Sequence, residues 1–399
     1  MNTNLTYVGS QLEFDFFSRF VKPLKELDVN LVMVTTKPSL YLRGKLKEFD
    51  IHIIKYSQND AVNENIYFSK EVKLGTWKIN LAARFFNALF EFCEQTFNRC
   101  AVINVFIWSN YSIPSIALSE FAKLYNIKQL YFEQSNIHRK IFVDPLGTNF
   151  KSLLFKNPEI LDAYEVSENE YLFWKTKYLK KKKNETNTPL GKKTREIQNF
   201  CFIIDSLGSS MFAYPKIGEM NILKKLNELF KRRKNHFVFD EHDVVKGDYI
   251  FFPMQVTTDS QVIFNTTFPL LEAVNVAIER AREFNCTLLI KPHPVELDQQ
   301  VYSVLNEYRT KYGCKIVNMP SIELVEHSRL VITINSTVGL EALIMEKKVE
   351  FLGKSFYAFL NGKRIKNYLM RYLVNVDYFS KTNLSVGQIK DILAKNEIG

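Results

Sequence analysis

None of the five cysteines of this chain, Cys93, Cys100, Cys201, Cys286 and Cys314, forms a CxxC pair. Most lie in apolar surroundings, so they read as reduced core residues of a cytoplasmic protein. No uninterrupted apolar run approaches the ~20 residues needed to span a bilayer, so any membrane contact is expected to be peripheral. The opening stretch MNTNLTYVGSQLEFDF has neither the basic start nor the apolar segment of a secretory leader, and none is expected. Heptads and internal repeats are absent. The basic residues concentrate in one stretch without the interleaved aromatics that stack bases, which argues against nucleic acid as a partner.

What is present is an ordinary globular composition, 46% hydrophobic and 24% charged, over 399 residues. That length fits two domains of roughly 150–200 residues each. The net charge of +10 and pI near 9.1 are compatible with an anionic partner such as a nucleotide, an acidic glycan or a phospholipid surface, or with a lysine-rich surface of no special purpose.

Strand and helix patterns alternate from the start. Residues 5–9 read as a strand, and Ser10–Leu27 as a helix with Phe14, Phe17, Phe20, Val21 and Leu24 on one face. Further strands are expected at 31–35, 51–55, 101–108 and 129–132, with helices at 77–97 and 113–125. Such β-α-β units build parallel sheets. The strand at 129–132 delivers Glu133 to a sheet's carboxyl edge, where open α/β sheets bind ligands. A capping or salt-bridging carboxylate is the plainer reading of Glu133. Residues 141–149 (IFVDPLGTN) read as a turn-rich loop over the same edge. From Trp174 to Lys193 a dense lysine run reads as an interdomain linker or exposed loop; Lys180, Lys181, Lys182 and Lys183 are candidates for contact with an anionic membrane, a merely solvated charge run being the plainer reading.

A second α/β pattern begins at 200–205, followed by the small-residue loop from Ser206. The cluster Asp240-Glu241-His242-Asp243 invites a metal reading, but a polar loop is the better one and no metal is expected. The strand 249–254 opens into Gln255-Val256-Thr257-Thr258-Asp259-Ser260-Gln261. This loop is rich in donors and acceptors and has Asp259 as its only charge, which suits a hydroxylated ligand. After a helix at 269–284 and a strand at 287–290 comes Lys291-Pro292-His293-Pro294, in which two prolines fix the backbone around His293. The strand 331–334 ends on Asn335-Ser336-Thr337 ahead of a helix. Hydroxyls, free amides and the helix dipole converge there, so Ser336 and Thr337 are placed to hold phosphate together with Lys291 and His293. A simple helix cap is the alternative. Gly339 is expected where a ligand or another backbone approaches closely, and Glu341, one turn on, is a candidate for ribose hydroxyls, a helix carboxylate with no ligand being the simpler account.

Taken together, YFEQSN, VDPLGTN, FPMQVTTDSQV, KPHP and INSTVGLEALIMEKKVEFLG resemble the capsule polysaccharide biosynthesis family, whose characterised members are β-Kdo glycosyltransferases. The resemblance covers about residues 130–360. It implies an α/β fold of GT-B type, with two Rossmann-like domains facing a central cleft. The expected division is 1–190 as the acceptor-side domain, 191–365 as the CMP-sugar-binding domain, and 366–399 crossing back to the first. It further implies transfer of Kdo from CMP-β-Kdo to a saccharide or lipid-linked acceptor, in capsule or lipopolysaccharide O-antigen synthesis at the inner face of the cytoplasmic membrane. Configuration would be retained and no cofactor needed. On this reading Lys291, His293, Ser336, Thr337 and Glu341 bind the nucleotide, with Gln255, Gln261 and Ser206 around it. Asp259 is the nucleophile, and Glu133 the acid or base acting on the acceptor. A GT-B transferase using CMP-sialic acid or a UDP-sugar, or a non-catalytic glycan-binding module, are the alternatives.

Overall fold

The computed structural model describes residues 1–135, 137–184, 205, 238–241, 246–256, 260–266, 269–294, 296 and 299–397. The chain divides into two units, each with its own sheet.

The first unit holds Met1–Ile160 and the C-terminal stretch from Arg371. In chain order its main elements are β1 (Asn2–Tyr7), α1 (Gln11–Lys25), β2 (Val29–Thr35), α2 (Pro38–Lys45), β3 (Ile51–Ile53), α3 (Ile79–Phe97), β4 (Ala101–Trp108), α4 (Ile113–Leu124), β5 (Lys128–Gln134) and β6 (Ile141–Asp144). The sheet order is β3-β2-β1-β4-β5-β6, with β6 antiparallel to β5 and every other pair parallel. The strand order turns back between β1 and β4, which makes their carboxyl ends the switch point of the sheet.

One core of this unit is aromatic. Phe14, Phe16, Phe17 and Phe20 of α1 are fully buried with Phe106 and Phe132 of the sheet. Each such burial contributes about 1.5–3 kcal/mol. Phe16 lies off the stripe read from the sequence. It makes edge-on contacts with Trp108 at 5.6 Å and Phe132 at 5.9 Å, and Tyr378 lies 5.4 Å away. Helical periodicity missed it because part of its cover arrives from residue 378, which a local pattern cannot see.

The second unit comprises Leu161–Thr186, which includes α5 (Glu168–Asn184), and Met220–Met370. Its elements continue as β7 (Tyr249–Pro253), α6 (Leu270–Glu283), β8 (Thr287–Lys291), α7 (Gln299–Tyr312), β9 (Lys315–Ile316), α8 (Ser321–His327), β10 (Leu330–Thr333), α9 (Thr337–Ile344) and β11 (Val349–Phe351). Among the described residues the sheet order is β11-β10-β7-β8-β9, all parallel. All five residues of β7, Tyr-Ile-Phe-Phe-Pro, are buried, as a central parallel strand covered on both faces requires. The switch point here lies between β7 and β10.

Three expectations change against these facts. The span read as a linker from Trp174 is helical up to Asn184, and its lysines are used. Lys175 pairs with Glu346, Lys182 with Glu341 at 3.0 Å and Lys183 with Glu326 at 2.7 Å, which ties α5 into the second unit. Helical spacing therefore splits the tetralysine run. Lys182 and Lys183 pair with these carboxylates, and Lys180, Lys181 and Lys183 are exposed. Residues 141–144 form a strand, β6, rather than the start of a loop. Asp205, assigned from sequence to the first strand of the second domain, is buried and accepts the Ser39 amide of α2 at 2.9 Å. The contact-defined units change over at 160/161, 186/187, 219/220 and 370/371, which puts Asp205 in the first unit, and Asn367 stays in the second, donating to the Leu161 and Tyr164 carbonyls.

From Arg371 the chain joins the first unit. Val374 pairs with Ile141, and α10 (Val386–Leu393), closed by a capping box at Ser385 and Gln388, packs its buried Ile389 and Ile392 into the aromatic core.

Candidate functional site

Three neighbouring strands of the second unit, β8, β7 and β10, carry the polar residues that the sequence singled out. Gln255 follows β7, Asn335-Ser336-Thr337 follows β10, and Lys291-Pro292-His293 ends β8. The parallel order therefore gathers them at one carboxyl edge, around the switch point. Gln255 and Asn335 are both buried and bind each other twice. The Gln255 side-chain amide donates to Asn335 Oδ1 at 2.8 Å, and the Asn335 backbone N–H donates to Gln255 Oε1 at 3.2 Å. This lock between the ends of β7 and β10 was not foreseen for Asn335, which the sequence offered only as a cap-forming residue.

Ser336 is the N-cap of α9, its hydroxyl accepting the Val338 amide at 3.2 Å. The cap reading is therefore correct as far as it goes, and the hydroxyl proton is left over for a further acceptor. Thr337, the first helical residue, forms no hydrogen bond through its amide or its hydroxyl among the described residues. An uncommitted N–H and O–H at a helix N-terminus are two donors suited to an anion.

Lys291 donates to Ser321 Oγ at 3.0 Å. Burial lowers its pKa and the Glu341 carboxylate opposes that shift, so the ammonium and the carboxylate feel each other across this edge. Glu341 accepts from Lys182 at 3.0 Å and from Tyr178 Oη at 3.4 Å, both on α5. The His293 carbonyl accepts the Glu296 amide at 3.0 Å, closing a turn after Pro292. The close approach expected at Gly339 is that of a side chain instead of a ligand or backbone. A Cβ there would lie 2.5 Å from the Phe351 ring and 3.1 Å from Thr333 Cγ2, so the missing side chain lets α9 lie against β11 and β10.

Asp240 is committed to structure. It pairs with Arg309 at 3.1 Å and accepts the Ile316 amide at 2.8 Å, as a polar-loop residue would. Asp259, Ser206 and the side chain of Gln261 lie outside the described residues, as do His242, Asp243 and the expected helix at 221–233.

Glu133 stands near the carboxyl end of β5 in the first unit, half-buried. Asn149 donates its side-chain amide to both carboxylate oxygens, at 3.1 and 2.9 Å. The loop carrying Asn149 is organised by Asp144, which no sequence signal marked. Its buried carboxylate accepts the amides of Leu146, Gly147, Leu153 and Leu154 at 2.9–3.2 Å, and Tyr372 Oη at 2.8 Å. Burial raises its pKa against the pull of those donors. The VDPLGTN motif thus fixes a loop whose far side holds Glu133.

At the switch point of the same unit lies a second carboxylate pair, Glu13 and Glu71, lining a cavity of about 290 Å³ with Tyr7 and Trp108. Glu13 accepts the Gly9 amide at 2.7 Å and Glu71 the Ile113 amide at 3.2 Å, so the protein's own carboxylates occupy the N-termini of α1 and α4. Burial raises the pKa of both.

Two parallel α/β units with polar side chains gathered at sheet edges place the chain in the class of double Rossmann-type proteins. Residues 210–363 match the family described as "Capsule polysaccharide biosynthesis protein". This match takes in 154 of the 399 residues, so that stretch is similar to the family. It is 30% identical over 119 residues to the capsule polysaccharide export protein KpsS of Escherichia coli, a match covering 27% of this chain and 31% of KpsS. It is 28% identical over 163 residues to the capsule polysaccharide modification protein LipB of Neisseria meningitidis serogroup A, covering 36% of each. These matches span about a third of the length of the curated relatives. Among solved structures, that of Thermosulfurimonas dismutans KpsC, a beta Kdo 2,7 transferase, aligns over 98% of this chain and 99% of that one, with 14% identity and a TM-score of 0.46.

Proposed function

We propose that the chain is a glycosyltransferase of capsule polysaccharide synthesis that transfers Kdo from CMP-β-Kdo to a saccharide or lipid-linked acceptor with retention of configuration, and without a metal or other cofactor. The observation that carries this reading is that the family match contains Gln255, Lys291, His293, Ser336 and Thr337, and the described sheet gathers all five at one carboxyl edge.

In this reading the uncommitted amide and hydroxyl of Thr337, the Ser336 hydroxyl and the Lys291 ammonium receive the CMP phosphate. That charge arrangement stabilises the leaving group as the sugar bond breaks. The Gln255–Asn335 lock holds the ends of β7 and β10 in register beneath it. Asp259, just after Gln255 in the chain, is the proposed nucleophile: its carboxylate forms a bond to the anomeric carbon as CMP leaves, and the acceptor oxygen then displaces it from the opposite face. Two inversions give retention. Glu133, held by Asn149, is the proposed base for the acceptor hydroxyl. Work at the inner membrane face, with Lys180 and Lys181 toward anionic headgroups, belongs to the same proposal.

The test is donor hydrolysis and transfer measured with CMP-β-Kdo, CMP-sialic acid and a set of UDP-sugars. Turnover of CMP-β-Kdo, lost in Asp259→Asn while CMP still binds, is expected. Turnover of a UDP-sugar alone would sink the proposed donor.

A further inference from the structure

A cavity of about 900 Å³ opens in the first unit, lined by side chains of α4, β5 and the loop after β6. Its volume lies in the range of about 300–1,000 Å³ typical of sites that enclose ligands of several rings. Three ammonium groups reach its wall, those of Lys123, Lys151 and Lys156, against one carboxylate, Glu120. Glu120 pairs with Lys123 at 2.9 Å. Among the described residues no carboxylate pairs with Lys151 or Lys156, and the Lys151 ammonium lies 5.1 Å from the Tyr111 ring centroid. Loss of solvent around Lys151, together with the repulsion of Lys123 and Lys73, lowers its pKa. A cation so placed gains from an incoming anion.

The rest of the wall mixes the amides and hydroxyl of Asn65, Ser119 and Gln129 with the rings of Phe68, Phe150 and Phe155. Ile116, Pro145 and Leu146 add aliphatic surface. Polar groups interspersed among rings match the edges and faces of sugar units, whereas an acyl chain asks for an unbroken apolar wall. The cavity also adjoins the proposed chemistry through one short turn. Asn149 holds Glu133, and the next two residues, Phe150 and Lys151, line the cavity.

We propose that this cavity binds an acidic oligosaccharide, with carboxylate groups of the glycan at Lys151 and Lys156 and its sugar faces on Phe68 and Phe150. The assignment rests on the functional reading above, in which Glu133 serves the acceptor, and it names the class of that acceptor: a glycan that already carries negative charge. Glu133 then meets a hydroxyl of a chain anchored by charge one turn away.

The probe is tetragalacturonate, titrated calorimetrically into the full chain beside neutral maltotetraose and phosphatidylglycerol vesicles. Tetragalacturonate is expected to bind at least about tenfold more tightly than maltotetraose and to weaken as salt rises; the double variant Lys151→Glu/Lys156→Glu is expected to lose about tenfold or more. The milder Lys151→Gln/Lys156→Gln pair, checked for an unchanged melting curve, is expected to fall between the two. Equal affinity for the two tetrasaccharides, no binding of tetragalacturonate, or unchanged affinity in both double variants overturns the proposal. Vesicle capture that the variants abolish, without tetragalacturonate binding, overturns it in favour of a lipid. Hydrolysis of CMP-β-Kdo by the wild-type chain reports the functional reading separately. A chain that hydrolyses donor and ignores tetragalacturonate thus refutes the cavity assignment alone.

Discussion

Gln255 and Asn335 exchange two hydrogen bonds between the ends of neighbouring strands, 80 residues apart in sequence, and both side chains are buried. Replacing Gln255 by Glu turns the donor toward Asn335 Oδ1 into a second acceptor. A buried polar group left facing a like partner costs about 1–3 kcal/mol. Gln255→Glu should therefore lower the free energy of unfolding by that amount at neutral pH, read as a lower urea midpoint. Part of the loss should return as pH falls toward about 4.3, the unfolded value, because the disfavoured carboxylate takes up its proton above that pH in the folded chain and can then donate again. An unchanged midpoint would mean that the pair contributes no net stability.

Ser336 and Thr337 are adjacent, yet they should respond differently to mutation. The Ser336 hydroxyl caps α9, so Ser336→Ala is expected to cost about 0.5–2 kcal/mol of stability in addition to weakening CMP. The Thr337 hydroxyl carries no structural bond among the described residues, and Val has nearly its shape. Thr337→Val is expected to leave the melting temperature in place and weaken CMP by roughly tenfold to a hundredfold, the value of one lost hydrogen bond to a charged group. Calorimetric titration of CMP beside thermal melts separates the two effects. Wild-type affinity in Thr337→Val would remove this hydroxyl from the phosphate site.

These two pairs also mark how far the sequence could be read. Strand order follows from alternation of apolar runs and helices, and the residues at the strand ends were legible because Pro, Ser, Thr and Gln stop such runs visibly. Partnership between strand ends was not: Asn335 pairs with a residue 80 positions away, and Phe16 is covered in part by Tyr378. Asp144 gave no local signal, because what matters is the four amides its carboxylate gathers from residues 146–154. The lysine run misled for an electrostatic reason. Dense like charge reads as solvated loop until the opposing carboxylates Glu326, Glu341 and Glu346, more than 140 residues downstream, are placed against it.

The Asp144 hub should be among the costlier single positions of the first unit. Asp144→Ala removes the acceptor of four amides and of the Tyr372 hydroxyl at once, and a loss of roughly 3 kcal/mol or more is expected. Tyr372→Phe removes one of those bonds and should cost about 1 kcal/mol. Because Asn149 lies on the same loop, Asp144→Ala should also release Glu133. Urea unfolding gives the first two numbers, and proteolysis at residues 145–152 reports the loop. Equal costs for the two variants would show that the amides, not the phenol, are dispensable.

Lys395 offers a pH dependence with a definite direction. Its side chain is only 5% exposed, its ammonium sits 4.0 Å from the Tyr372 ring centroid, and burial brings its pKa down to about 8 while Asp144 and Asp391 pull the other way. An unfolded lysine titrates near about 10.4. Below pH 8 both states carry the proton, and the folded state bears the full cost of the buried charge. Between about 8 and 10.4 the unfolded chain still holds the proton that the folded chain has released, so stability rises with pH; above that window neither is charged and the cost is gone. Lys395→Met carries no such cost at any pH. The stability of the wild type relative to Lys395→Met should therefore increase by on the order of 3 kcal/mol across the window, from below about pH 8 to above about pH 10.4, every other titrating group being common to both chains. Urea midpoints of the two proteins at several pH values across that window measure it. Parallel curves would show that the Lys395 ammonium keeps its solvent, or its pairing with Asp144, well enough to titrate like an exposed lysine.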